Sequence, residues 1–214
     1  MKRPGRLTRR VAILWVAGVC ALALGPGLRA QEAVFNLDPA TAKVEFTLSA
    51  TMHTVHGTFK LKSGVIRFDP ATGKASGAVI VDATSGDTDN SSRDRKMHAD
   101  ILESAKFPEI TFTPAQVSGA PDLKSISQSS PKPGSQVQVS GVFRLHGQDH
   151  PMILTFSLQP GAQGSLEAST QFVVPYIQWG LKSPNTFFLH VGDTIDVDVH
   201  ATARPASAGP TGSR

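Results

Sequence analysis

The sequence is poor in the side chains that support redox, disulfide and nucleophile chemistry. Its 214 residues include a single cysteine, Cys20, which lies in a leader that we expect to be removed on export. The remaining chain then has no disulfide to stabilise it and no thiol nucleophile. Ser85, Ser91 and Ser92 belong to no recognisable nucleophile motif. These absences favour a binding or structural protein over an enzyme.

Long hydrophobic runs are also scarce. The one extended apolar stretch runs from Val11 to Leu24, and it is too short to cross a bilayer comfortably. Basic residues precede it, a proline–glycine pair ends it, and a cleavage site follows Ala30. This arrangement predicts a secretory signal peptide over residues 1–30. An uncleaved membrane anchor is the alternative.

An excess of one charge is absent once this leader is set aside. The full chain has 21 basic and 17 acidic residues, a formal charge of +4. Residues 1–30 hold six basic residues and no acidic one, so the exported chain has 15 basic and 17 acidic residues and a formal charge of −2. Nucleic-acid binding requires a clustered basic surface. We therefore do not expect nucleic acid as a partner.

What the sequence does contain is a series of short segments in which apolar and polar residues alternate, the pattern of half-buried strands. It predicts one all-β domain at residues 31–203, an eight-stranded antiparallel barrel. Residues 119–134 are expected to form a polar, mobile hairpin tip away from the barrel interior, and 204–214 a disordered tail. A change of phase predicts a bulge at Ser63-Gly64. The predicted strands lie near 43–50, 57–69, 74–83, 109–118, 135–146, 150–160, 164–174 and 190–202.

Phenylalanine is the one aromatic residue present in number. Seven of the 11 phenylalanines fall on the predicted inner faces, on six different strands. Two interpretations stay open, a packed aromatic core and a lumen lined for a hydrophobic ligand. Eight strands is the size at which a barrel can either fill itself or hold one ligand. The periodicity does not decide between them.

The alternation stops between residues 90 and 112, where charged and helix-tolerant residues take over. We expect a short helical insert in the barrel there. Arg93, Asp94 and His98 lie on it, and two roles are possible. A structural salt bridge would pin the helix to the barrel, whereas a functional cluster would cap the barrel mouth or bind a polar headgroup.

The other histidines and the tryptophan give weaker signals. His53 and His56 are three residues apart on a strand and point to opposite faces, which is poor for a shared metal. His146 and His150 bracket a hairpin turn. They form either a surface metal site or two solvated side chains. Trp179 lies in a proline-broken segment. It is either a plug or latch, or an aromatic at the lumen entrance that touches cargo or membrane.

Four motifs in order resemble the YceI-like family of bacterial periplasmic polyisoprenoid-binding proteins, and together they span residues 34–203. The motifs are Asn90-x2-Arg93-Asp94 followed by Lys106-Phe107-Pro108-Glu109-Ile110-Thr111-Phe112; Asn36-Leu37-Asp38-Pro39 before Val44-Glu45-Phe46; Gly141-x3-Leu145-His146-Gly147-x3-Pro151; and Trp179-Gly180-Leu181-Lys182 with Val191-Gly192-Asp193-x-Ile195-Asp196-Val197.

The resemblance implies a lipocalin-like eight-stranded barrel with one short helix that holds a long isoprenoid or quinone-type lipid non-covalently, without a metal or other cofactor. It implies a periplasmic binding or carrier protein, not an enzyme, which we expect to unload at a membrane or a membrane protein. The alternative is a structural or protein-interaction barrel with a self-filled core. The residues expected to contact the lipid are Phe46, Leu48, Phe59, Leu61, Phe68, Phe112, Phe143, Leu145, Phe156, Leu158, Phe172 and Trp179.

Overall fold

The computed structural model of the protein describes residues 32–51, 53–119, 123–184 and 190–206. Within these ranges the chain is mostly strand, with a few short helical elements. The strands are β1 (Ala33–Leu37), β2 (Lys43–Ser49), β3 (Thr54–Phe68), β4 (Ala75–Asp87), β5 (Glu109–Ser118), β6 (Ser135–Leu145), β7 (Gln148–Pro160), β8 (Leu166–Val174) and β9 (Ile195–Pro205). The helical elements are α1 (Ser91–Lys96), a π-helical turn (Met97–Ile101), α2 (Leu123–Ser127) and a 3₁₀ turn (Ala162–Gly164).

All neighbouring strands run antiparallel, and β2 to β9 pair in chain order until β9 returns to β2. The predicted eight-stranded antiparallel barrel is therefore confirmed. β1 is a ninth strand that the alternation does not predict, because five residues are too few to show a period. It fills the space between the ends of β3 and β9, where Asn36 pairs with both Val65 and Arg204.

Some strand ends differ from the prediction. β4 continues to Asp87, and β9 begins at Ile195 and continues to Pro205. The predicted disordered tail therefore begins too early, since Arg204 and Pro205 pair with β1, and the Arg204 guanidinium lies 3.3 Å from the Asp38 carboxylate. The tail beyond residue 206 and the predicted signal peptide at 1–30 lie outside the described residues.

The predicted change of phase in β3 is present. The register against β4 shifts between Leu61 and Ser63, which makes Lys62 the extra residue, just before the predicted Ser63-Gly64 position. A bulge inserts one unpaired residue and so exchanges the two faces of the strand. Leu61 before the bulge and Phe68 after it are consequently both buried.

β6 shows how the sequence produces an inner face. Its odd-numbered residues from Val137 to Leu145 are buried, and the residues between them are exposed or half-buried. Gly141 occupies one of the inward positions because the ring of Phe112 lies against it. A Cβ at this glycine would overlap that ring and the carbonyl of Thr113.

The helical insert between residues 90 and 112 is confirmed. α1 begins after Asn90, whose Oδ1 accepts a hydrogen bond from the backbone N–H of Arg93 at 3.0 Å, a favourable N-cap. The insert rejoins the sheet where the Pro108 carbonyl accepts from the N–H of Ala83 at 2.9 Å. No helix in the described part of the chain is long and apolar enough to span a membrane.

The segment 119–134 differs from the prediction of a polar tip away from the barrel interior. It contains α2, in which Ile126 is only 5% exposed and belongs to the core, with Leu123 packed partly buried against that core. The interpretation that this segment avoids the lumen is wrong. Leu123 and Ile126 are three residues apart and so share one face of a helical turn, but the serines around them hide that pattern in the sequence.

Candidate functional site

The barrel encloses a cavity of about 630 Å³, lined by inward-facing side chains from all nine strands. This volume falls within the ~300–1,000 Å³ typical of small-molecule sites. Trp179 does not belong to the cavity wall. The structure places the other predicted contact residues in that wall, and their role in binding a ligand remains a prediction; they are Phe46, Leu48, Phe59, Leu61, Phe68, Phe112, Phe143, Leu145, Phe156, Leu158 and Phe172.

Most polar residues of the wall gather at one end of the barrel. His53 precedes β3, Thr88 follows β4, and Ser92, Arg93 and Lys96 belong to α1. The antiparallel register brings the start of β3 beside the end of β4, so these residues share one end. Among the described residues, no aspartate or glutamate lines the cavity.

The two ends of the cavity have different properties. Ser92 and Lys96 both line the cavity and are exposed, which opens it to solvent at the α1 end. At the α2 end the wall is formed by buried apolar side chains, including Val117, Ile126 and Val137. The cavity therefore has a polar mouth and an apolar, covered base.

Thr88 holds α1 onto the end of β4. The Arg93 Nε donates to the Thr88 hydroxyl at 2.7 Å, and the Arg93 Nη2 donates to the Thr88 carbonyl at 2.6 Å. The Thr88 hydroxyl and N–H in turn donate to the Asp94 carboxylate at 2.6 and 3.1 Å. Arg93 and Asp94 thus pin the helix as the structural interpretation predicts, but through Thr88 instead of a direct salt bridge.

The sequence does not identify Thr88 as part of this site. The residue is 4% exposed, yet it stands between two polar residues at a strand end, where threonine is ordinary. Its position just before the Asn90 cap is the only local signal. Arg93 also lines the cavity, so a residue that anchors α1 is also part of the mouth.

His98 fastens the π-helical turn. Its Nε2 lies 2.9 Å from the carbonyl of Gly86 and its Nδ1 lies 3.1 Å from the hydroxyl of Ser104. Because a carbonyl only accepts, Nε2 donates, and in the neutral ring Nδ1 accepts from the serine. Both ring nitrogens are thereby occupied by the fold, which favours a structural role for His98.

The remaining histidines are separated. His56 contacts the outward Thr47 hydroxyl through Nδ1 at 3.1 Å, whereas His53 lines the cavity, so this pair points to opposite faces as predicted. His146 packs on Phe107 with ring centroids 4.3 Å apart. His150 instead stacks on the ring of Trp179, which lies in the segment after β8. Within the described ranges, no group of three or more metal-binding side chains is present.

The segment after β8 closes the barrel wall where β7 and β8 separate. These strands pair only between Ser157–Pro160 and Leu166–Ser169. Tyr176 is 1% exposed and donates its hydroxyl to the Gly192 carbonyl at 2.8 Å, and burial raises the pKa of this hydroxyl. Trp179 stacks on His150 with centroids 3.9 Å apart. The placement fits the latch interpretation of Trp179.

A domain family described as the YceI-like domain matches residues 35–203. The protein YceI of Escherichia coli O157:H7 is 33% identical over 108 residues, which cover 49% of this chain and 49% of that protein. A UPF0312 protein of Vibrio cholerae is 27% identical over 145 residues, covering 66% of this chain and 70% of that protein. The match thus spans about half the length of the Escherichia coli relative.

Solved structures share the fold. BcnA of Burkholderia cenocepacia superposes with a TM-score of 0.61 at 17% identity, covering 78% of this chain and 99% of that chain. A polyisoprenoid binding domain from Saccharophagus degradans, implicated in plant cell wall breakdown, gives a TM-score of 0.60 at 17% identity, covering 80% and 98%. At these identities the likeness concerns the architecture.

Proposed function

Because the chain belongs to the YceI-like domain family, and because its barrel encloses an apolar cavity with a polar mouth, we propose that the protein binds the hydrocarbon tail of an isoprenoid or quinone-type lipid. The lumen holds the tail, and the headgroup remains near α1. The cavity itself carries this proposal. A polyisoprenoid binding domain among the proteins of the same fold supports the choice of ligand.

The energetics favour a tail over a polar solute. A tail that hides on the order of 500 Å² of apolar surface gains about 12 kcal/mol at ~25 cal/mol per Å². Association and ordering costs of ~4–15 kcal/mol oppose this gain, so a useful affinity requires most of the tail to be inside. A polar solute would leave its hydrogen-bonding groups unpaired against the apolar wall.

We further propose binding without catalysis. Three polar groups of the helical insert, Arg93, Asp94 and His98, are engaged with Thr88, Gly86 and Ser104 in holding the insert. A general acid or base needs a group that is free to exchange a proton with a substrate. None of these three is oriented for that task while the anchor is formed.

The role proposed for the protein is that of a periplasmic carrier. Burial of the tail makes spontaneous release into water slow, so we expect unloading at a membrane or a membrane protein. The test is the release rate of a bound isoprenoid with and without acceptor vesicles of phosphatidylethanolamine and phosphatidylglycerol. Equal rates in the two conditions would argue against delivery to a membrane.

Native mass spectrometry of protein purified without detergent from its own periplasm tests binding directly. The expected result is a stoichiometric adduct that extracts into organic solvent as an isoprenoid. A bare protein mass that persists after incubation with isoprenoids and quinones would instead favour a structural or protein-interaction barrel that holds no ligand.

A matched pair of variants tests whether the lumen is the site. Val197 lines the cavity, whereas Val173 lies on the outer face and is 49% exposed. Val197→Trp is expected to reduce loading at least tenfold because the indole occupies the lumen, and Val173→Trp to leave loading unchanged. Equal loading in two folded variants would place the ligand elsewhere.

A further inference from the structure

We propose that α2 is the floor of the lumen and sets the length of the tail that the barrel accepts. The inference rests on the proposed lipid-binding function and adds a determinant of specificity to it. The floor is Ile126, which is buried and lines the cavity, and Leu123, the other apolar residue of α2, packs against the same core. None of the four motifs that carry the family resemblance includes this segment.

The connectivity places α2 at the end opposite the mouth. α2 lies between the end of β5 and the start of β6, whereas α1 lies between β4 and β5 at the other end. Val117 and Val137, next to these strand ends, are buried members of the cavity wall, and Ile126 is buried in the same core. A tail that enters at α1 therefore meets Ile126 last.

Leu123 supports the floor from outside the cavity wall. A Cβ built on Gly73, in the β3–β4 turn, would lie 3.5 Å from the Leu123 Cδ1. Leu123 thus reaches the turn between two other strands while Ile126 lies in the core beside β5 and β6. Leu123 therefore connects α2 to the β3–β4 turn, while Ile126 faces the cavity.

The segment that carries the floor is held in place by its own hydrogen bonds. The N–H of Gln128 donates to the Lys124 carbonyl at 3.1 Å, and the N–H of Ser130 donates to the Ser125 carbonyl at 2.8 Å. Ser129 and Pro131, which follow the helix, are both buried. The hydrogen bonds are internal to the segment and keep Ile126 on a defined helical turn.

The distance from floor to mouth can be converted to a chain length. Val137 and Leu145 both line the cavity near opposite ends of β6. Each residue between them rises ~3.3 Å along a strand that is tilted by ~40° to the barrel axis. The distance between them along that axis is therefore about 20 Å. An isoprene unit adds four chain bonds and spans about 4.7 Å when extended, since three backbone bonds of a peptide span about 3.5 Å. About four units, the length of geranylgeraniol, therefore fill the lumen.

This geometry predicts that the affinity rises with chain length up to one length and then levels off. We call that length the break. From geraniol through farnesol to geranylgeraniol, each added unit buries more surface, and the affinity is expected to rise about tenfold or more per unit. Beyond that length the added units project from the mouth, and the affinity for solanesol is expected to exceed that for geranylgeraniol by less than about twofold.

The test is competition binding of these four alcohols to the full-length exported protein and to floor variants. Ile126→Ala is expected to move the break about one unit longer, and Ile126→Phe about one unit shorter. The control is Val55→Ala, which also removes methyl groups from a buried residue of the wall, but at the start of β3 near the mouth. It is expected to change all affinities alike and leave the break in place.

The outcomes separate the two proposals. If none of the alcohols binds to the wild-type protein, the proposed function fails. If they bind but the break stays at the wild-type length in folded Ile126 variants, or moves equally in Val55→Ala, the floor assignment is wrong. Circular dichroism checks the fold of each variant. Should Ile126→Ala not fold, Ile126→Phe carries the same test.

Discussion

The Thr88 anchor yields a stability prediction whose size follows from the contacts. Thr88→Val keeps the shape of the side chain and its burial but removes the hydroxyl. Of the four hydrogen bonds that join Thr88 to Arg93 and Asp94, the hydroxyl makes two, and the backbone makes the others. Both of the lost bonds involve a charged partner, and such bonds contribute ~1.5–3 kcal/mol each. Partial exposure of Arg93 and Asp94 lets water replace part of the loss, so we expect about 2–4 kcal/mol.

The measurement is equilibrium unfolding in urea, with the free energy of unfolding taken from the midpoint and slope. The matched control is Thr84→Val, also on β4, whose hydroxyl donates to the Asp82 carboxylate at 2.6 Å on the exposed surface. Water replaces that bond, so the control is expected to lose less than about 1 kcal/mol. Equal losses for the two variants would refute the argument that burial makes the Thr88 hydroxyl important.

Two further predictions concern a turn and a close contact. The N–H of Ala71 and the hydroxyl of Thr72 donate to Asp69 and lower the pKa of its carboxyl. These bonds stabilise the folded state at pH values above the ordinary aspartate pKa, and the stabilisation is lost as the pH falls through the lower pKa of the folded state. Asp69→Asn is therefore expected to have a lower Tm than wild type at neutral pH, with the difference closing in acid, and a difference independent of pH would contradict this. Gly141→Ala is expected to cost about 1–3 kcal/mol in urea unfolding because the new methyl group overlaps the Phe112 ring. Gly192→Ala, where a Cβ meets only ordinary contacts, is the control and should change stability much less.

Parts of the site were predictable because they depend on short-range patterns. Alternation along a strand determines which side chains face inward, and it correctly brought Phe46, Phe112 and Phe143 to one interior. The bulge in β3 followed from the same pattern, to within one residue. The helical insert was visible as an interruption of the alternation.

Other parts were not predictable from local pattern. Ile126 is one of two apolar residues in an otherwise polar loop, and its burial depends on strands β5 and β6 bringing it to the base of the barrel. Thr88 became an anchor because Arg93 and Asp94 return to it one helical turn later in the chain. Trp179 found its partner His150 only because β7 and β8 separate toward the mouth end of the barrel.

The sequence by itself determined an antiparallel barrel of eight strands, its inner face and its helical insert, because the two-residue period of a strand and its interruptions are local properties of the chain. Only the tertiary structure decided between a filled core and a lumen. That choice depends on the difference between the volume that the closed sheet encloses and the volume of the side chains inside it, and here about 630 Å³ remains. The position of α2 at one end and α1 at the other then gives the lumen its covered base and its mouth.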